Sequence, residues 1–97
     1  MLGKKEKEYL AKVIASNRLS YGPFSKKFEQ KFAGFHGARF GLFMNSGTSA
    51  LQVALAALKE KYRWQDGDEV LVPAATFIAT SNVILQNSLK PVFVDAD

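Results

Sequence analysis

Phe43-Met44-Asn45-Ser46-Gly47-Thr48-Ser49-Ala50-Leu51 decides the fold, because here an apolar run passes through a small polar turn into helical periodicity. The first N–H groups of a helix have no internal partner and the dipole is positive at that end, so phosphate is favoured there. Gly47 lets the backbone approach an anion without a side chain in the way, and Thr48 and Ser49 add hydroxyl donors. The same Asn and Ser residues also make an ordinary N-cap, which any strand-to-helix turn carries. Both readings stand on the local sequence.

Outward from the turn, Leu51, Ala54, Leu55, Leu58 and Tyr62 recur at helical spacing, and Ala50, Val53 and Ala57 widen the stripe. This predicts a helix over about 48–63, packed closely on a sheet. Gln65-Asp66-Gly67-Asp68 reads as a turn with Gly67 at positive φ. Glu69-Val70-Leu71-Val72 reads as a strand stopped by Pro73, which cannot donate to a ladder. A second helix is expected from Thr76 to Asn87, and Pro91-Val92-Phe93-Val94 as another strand ending in Asp95.

From Ala38 onward the predicted order is strand, helix, strand, helix, strand, an α/β fold with a parallel three-stranded unit. Ligands in such sheets bind beyond the carboxyl ends of the strands, where the Asn45–Thr48 turn falls.

Before that unit, Lys4 to Asn17 reads as a helix with Tyr9, Leu10, Val13 and Ile14 on one side. Leu19-Ser20-Tyr21-Gly22-Pro23 breaks it, and Pro23 suits the first turn of a further helix. Phe24, Phe28, Phe32 and Phe35 fall on one stripe of that helix, which the pattern assigns to core. Ser20–Gly22 reads either as a joint that closes Tyr21 over a ligand or as a surface turn. The organisation expected is an N-terminal helical arm, 1–37, and the start of an α/β domain, 38–97. A parallel sheet this small leaves its faces open, so the pattern reads as the opening part of a larger fold, incomplete at Asp97.

The chain has 13 basic and 9 acidic residues, a net +4, and the excess is concentrated in residues 1–39. Those lysines alternate with Leu10, Val13, Ile14, Phe28 and Phe32, as on the solvated sides of amphipathic helices. No nucleic-acid partner is therefore expected. With no cysteine and one histidine, His36, there is no disulfide framework and no metal cluster to assemble. The Lys- and Glu-rich start lacks an apolar signal core and no run is long enough to span a bilayer, so no membrane partner and a cytoplasmic location are expected. Neither Gly-x-Gly-x-x-Gly nor Gly-x-x-x-x-Gly-Lys-Ser/Thr occurs, which argues against a nucleotide-binding module of the doubly wound kind.

Taken in order, Tyr21-Gly22-Pro23, Phe28-Glu29, Phe32-Ala33, Asn45 to Leu51, Gly67-Asp68-Glu69-Val70, Pro73 with Thr76-Phe77, and Lys90 to Asp95 resemble one family. The chain resembles the opening segment of the DegT/DnrJ/EryC1/StrS family, sugar aminotransferases that use pyridoxal 5'-phosphate. The resemblance implies the N-terminal part of an aspartate-aminotransferase-like (fold type I) large domain. It implies that Ser46, Gly47 and Thr48 hold the cofactor phosphate, and that Phe77 stacks on the pyridine ring. It also implies that Tyr21 and Gly22 lie near the mouth through which a sugar nucleotide enters.

The substrates it implies are a nucleotide-linked keto-sugar and an amino-acid amino donor, handled by a homodimer. The family's Schiff-base lysine and the acid that pairs with the pyridine nitrogen match no position in this chain. The resemblance therefore assigns it no catalytic residue, and the 97 residues are expected to be inactive by themselves, their C-terminal counterpart lying elsewhere. Members with a histidine at the lysine position dehydrate their sugar instead. A fragment of such a dehydratase, or a non-catalytic remnant, are the alternatives.

Overall fold

The computed structural model describes residues 1–95, which divide into two compact units, residues 1–43 and the residues from Met44 onward.

In the first unit, α1 spans Lys4–Ala15 and α2 spans Pro23–Phe35. Pro23 sits in the first turn of α2, where its missing N–H costs nothing. The Tyr9 and Phe24 rings meet edge to face at 5.6 Å, which joins the two helices. The chain then runs back along α2. The Ala38 N–H donates to the Ala33 carbonyl at 2.8 Å, and the Phe28 and Phe43 rings lie 5.5 Å apart. At Gly41 a Cβ would stand 2.8 Å from the Glu29 carbonyl oxygen, so only glycine admits so close an approach.

Residues 38–43 thus depart from expectation. They form no strand, because a strand needs a partner ladder and, among the described residues, this segment is instead tied to α2. The phenylalanine stripe departs too. Phe24, Phe28 and Phe32 touch aromatic neighbours yet stay exposed, Phe35 is 86% exposed, and Ala33 alone of α2 is buried. Periodicity identified an apolar face correctly, but nothing among the described residues covers it.

In the second unit, α3 spans Gly47–Tyr62, β1 Glu69–Pro73, α4 Ala79–Gln86 and β2 Lys90–Val94. The strands pair in parallel from Glu69–Lys90 to Pro73–Val94, with α4 as the crossover. Three strands were expected and two form; the class, α/β with a parallel sheet, is as read. Val72, at 1% exposure, centres the core with Ile84 and Leu89, and Leu55, Trp64 and Val70 pack around it. Leu71, on the opposite face of β1, is 70% exposed, so one side of the sheet is covered and the other is bare.

Local chemistry sets the ends of α3. Ser46 is extended, and its Oγ accepts from the Ser49 N–H at 3.1 Å. Arg63 turns left-handed at φ 55°, and the Trp64 N–H closes on the Lys59 carbonyl at 2.9 Å. The Lys59 Nζ then reaches Asp66 and, at 2.7 Å, the Asn87 carbonyl, which ties α3 to the end of α4. Gly67 has φ 88°, as its turn requires, and its N–H donates to the Ser88 carbonyl at 2.8 Å. The second helix begins at Ala79 rather than Thr76, so Thr76 and Phe77 lie in the connection leaving β1.

Candidate functional site

The carboxyl end of β1 delivers the chain into Ala74-Ala75-Thr76-Phe77, and the Ala74 N–H is held by the Val94 carbonyl at 2.8 Å. This connection and the start of α3 border one open depression of about 660 Å³, lined by Gly47, Thr48, Leu51, Phe77, Thr80 and their neighbours. A volume of that size lies within the range of small-molecule and cofactor sites. Three residues singled out from sequence, Gly47, Thr48 and Phe77, therefore meet at one place, although 29 positions of chain separate Thr48 from Phe77.

The donors at the head of α3 are divided. Ser46 is committed to the cap: its Oγ accepts from the Ser49 N–H and donates to Ser49 Oγ at 3.0 Å. The Ala50 N–H is taken by the Ser46 carbonyl at 3.0 Å. The N–H groups of Gly47 and Thr48 are the two first-turn donors left without an intrahelical acceptor. A Cβ built on Gly47 would meet no heavy atom within 4 Å, so the space beside the Gly47 backbone is open. Phe77, 74% exposed, offers a free ring face to the same depression. Free amides, one hydroxyl and a flat apolar face make a donor set that fits a phosphate ester carried by an aromatic ring.

Tyr21 and Gly22 belong to the first unit and line a depression of about 290 Å³ with Arg18, Pro23 and Lys26. The Tyr21 hydroxyl donates to Glu29 Oε2 at 2.5 Å, and the Phe43 N–H donates to Glu29 Oε1 at 2.8 Å. The bond to Glu29 pushes the Tyr21 phenol above its ordinary value. The same bond, reinforced by the Phe43 amide, holds the Glu29 carboxyl below its own. Sequence reasoning assigned Glu29 no role. The available signal was its isolation, since it is the one acid in a helix that carries Lys26, Lys27 and Lys31.

A further depression, of about 430 Å³, lies where α3 ends, beside Lys59, Trp64 and Asn87. Its lysine is already engaged by Asp66 and Asn87, which makes it a joint between elements rather than a receptor. Among the described residues no group of three or more His, Cys, Asp or Glu is placed to hold a metal ion, and no helix is long and apolar enough to cross a membrane.

A parallel α/β unit with an open helix start and an exposed aromatic ring beyond the carboxyl end of its strand has the layout in which α/β sheets bind ligands. The whole sequence, residues 1–97, matches the DegT/DnrJ/EryC1/StrS aminotransferase family, and the chain belongs to that family. It is 40% identical over 94 residues to GDP-perosamine synthase of Escherichia coli O157:H7, covering 96% of this chain and 25% of that protein. It is 36% identical over 99 residues to dTDP-4-dehydro-2,3,6-trideoxy-D-glucose 4-aminotransferase of Saccharopolyspora spinosa, covering all of this chain and 25% of that enzyme.

Among solved structures it is similar to the E. coli GDP-4-keto-6-deoxy-D-mannose-3-dehydratase with bound hydrated PLP. That likeness has a TM-score of 0.91 and 30% identity, over all of this chain and 25% of the dehydratase. The chain thus spans about a quarter of the length of the relatives it matches.

Proposed function

We propose that this chain is the N-terminal segment of a pyridoxal-phosphate-dependent aminotransferase that moves an amino group onto a nucleotide-linked keto-sugar. The observation that carries the reading is the meeting of Gly47, Thr48 and Phe77 on one depression at the carboxyl end of β1. Bound pyridoxal phosphate supplies an electron sink for amino-group transfer at a substrate carbon. The chain's part is to bind and orient. The Gly47 and Thr48 amides and the Thr48 hydroxyl hold the phosphate, Ser46 keeps the helix start in shape, and Phe77 fixes the plane of the ring.

Tyr21 and Gly22, in this reading, belong to the loop through which the sugar nucleotide enters. Residues 1–37 act as an arm, and residues 38–97 open the cofactor domain. The bare face of β1 and the open phenylalanine stripe suit packing against further polypeptide of a cytoplasmic homodimer. The dehydratase likeness keeps a second reading in view, the same binding role in an enzyme that removes a sugar hydroxyl instead.

A chimera tests the proposal. Residues 1–97 replace the matching segment of E. coli GDP-perosamine synthase, and pyridoxal phosphate is titrated in while the visible band of the bound cofactor is followed. Saturable binding that is weakened by Thr48→Ala supports the reading. A folded chimera that binds no cofactor refutes it.

A further inference from the structure

We infer that Glu29 is a positioning residue whose single carboxylate, shared by the Tyr21 hydroxyl and the Phe43 amide, fixes the hydrogen-bonding polarity of Tyr21 and anchors the segment that leads into α3. The inference rests on the proposed placing of Tyr21 beside the substrate.

Three contacts converge on this one residue. Oε2 takes the Tyr21 proton, Oε1 takes the Phe43 amide, and the Glu29 carbonyl lies so close to Gly41 that a Cβ there would stand 2.8 Å away. Lys26, one turn earlier on α2, adds its charge in favour of the ionised carboxyl. Tyr21 and Phe43 sit on opposite sides of Glu29 in sequence, 8 and 14 residues away, so one side chain closes two otherwise independent loops.

The chemical consequence concerns Tyr21. A phenol has one proton to donate, and Glu29 takes it, so toward the depression the oxygen presents only lone pairs. Tyr21 therefore recognises hydrogen-bond donors, such as a sugar hydroxyl or an ammonium group. A carboxylate or phosphate arriving at the same depression gains nothing from Tyr21 and is left to Arg18 and Lys26. The Phe43 bond acts at the other end. It holds Phe43, the last residue of the first unit, against α2.

The test uses the 97-residue chain without cofactor, in a Tyr9→Phe, Tyr62→Phe background where Tyr21 is the only phenol. Amide exchange at Phe43 is read by NMR, and Tyr21 ionisation by tyrosinate absorbance. Glu29→Ala removes an acceptor, and Phe43 exchange is expected to rise about tenfold, the equivalent of one charge-assisted hydrogen bond. Glu29→Gln keeps an oxygen for Phe43 but loses the charge. Its Phe43 exchange stays parent-like while Tyr21 ionises at lower pH than in the parent. Tyr21→Phe leaves Phe43 exchange unchanged.

The inference is overturned if Glu29→Ala exchanges Phe43 at the parent rate, or if Tyr21 ionises at the parent pH in Glu29→Gln. Should Glu29→Ala lose its helical circular dichroism, the Glu29→Gln comparison decides alone. Because no arm contains cofactor, these results are independent of whether the head of α3 binds pyridoxal phosphate.

Discussion

Ser46 and Thr48 stand two residues apart at the head of α3; the structure makes Ser46 the cap and the proposed function makes Thr48 a phosphate ligand, two duties that substitution separates. Ser46 Oγ holds the Ser49 amide at 3.1 Å, so Ser46→Ala removes an N-cap, at a cost of about 1 kcal/mol. For a chain of this size that lowers the melting temperature by roughly 4–8 °C. Thr48 is exposed, and among the described residues its hydroxyl has no partner, so Thr48→Ala leaves the melt within about 0.5 kcal/mol of the parent.

In the cofactor-binding chimera the order reverses. On the proposed reading, Thr48→Ala removes a hydroxyl bond to a phosphate, worth roughly 1.5–3 kcal/mol, or about ten- to a hundredfold in affinity. The Gly47 and Thr48 amides remain, so binding weakens without vanishing. Ser46→Ala loosens the turn and weakens binding less than Thr48→Ala does. Melting of the 97-residue chain and cofactor titration of the chimera supply the two readouts. If Thr48→Ala binds as tightly as the parent, the head of α3 is a cap and not a phosphate site.

Phe77→Ala, measured in the same chimera, is expected to lower turnover more than cofactor affinity, because ring orientation and not phosphate capture is lost; equal losses would contradict the stacking role. Ile84→Ala, in the core beside Val72 and Leu89, is expected to destabilise the chain by about 2–5 kcal/mol, read as a lower urea midpoint. Glu29, with its carboxyl held low, stabilises the first unit above the ordinary carboxylate range, and that contribution disappears as pH falls through its depressed value. An acid titration of Tyr21 and Phe43 NMR shifts is expected to show this and to lose it in Glu29→Gln. Lys90 has the opposite sign. Its hydrogen bond to Glu69 raises its pKa, so its contribution is complete below the ordinary lysine range and is lost as pH rises through the raised value, a dependence that Glu69→Gln removes.

What the sequence disclosed depended on whether the deciding contacts were local. The cap at Ser46, the positive φ at Gly67 and the runs Val70–Val72 and Val92–Val94 are local features, and α3, β1 and β2 lie within a residue or so of the expected bounds. The apolar residues after Ala38 suit a strand, yet a strand is defined by its partner, and α2 takes that place. Thr76 and Phe77 have helical spacing relative to Val83 and Ile84, but the structure leaves them in the connection, which frees the Phe77 ring. The meeting of Phe77 with Thr48 was legible only through the family resemblance. The Glu29 contacts were legible in neither way, since one of them spans 14 residues and involves a main-chain amide that has no identity in sequence.

The parallel ladder has a kinetic side. Each residue of β1 pairs with a residue 21 positions later, so the whole sheet closes within one short stretch of chain. Parallel pairing is ordinarily slow because distant segments must find each other, but loop-closure entropy grows only with the logarithm of loop length. During synthesis, Val72, Ile84 and Leu89 become available to one another as soon as β2 leaves the ribosome. Leu71 and the α2 phenylalanines remain exposed once that closure is made. The short-range topology thus lets this core form early, while those apolar side chains still face solvent.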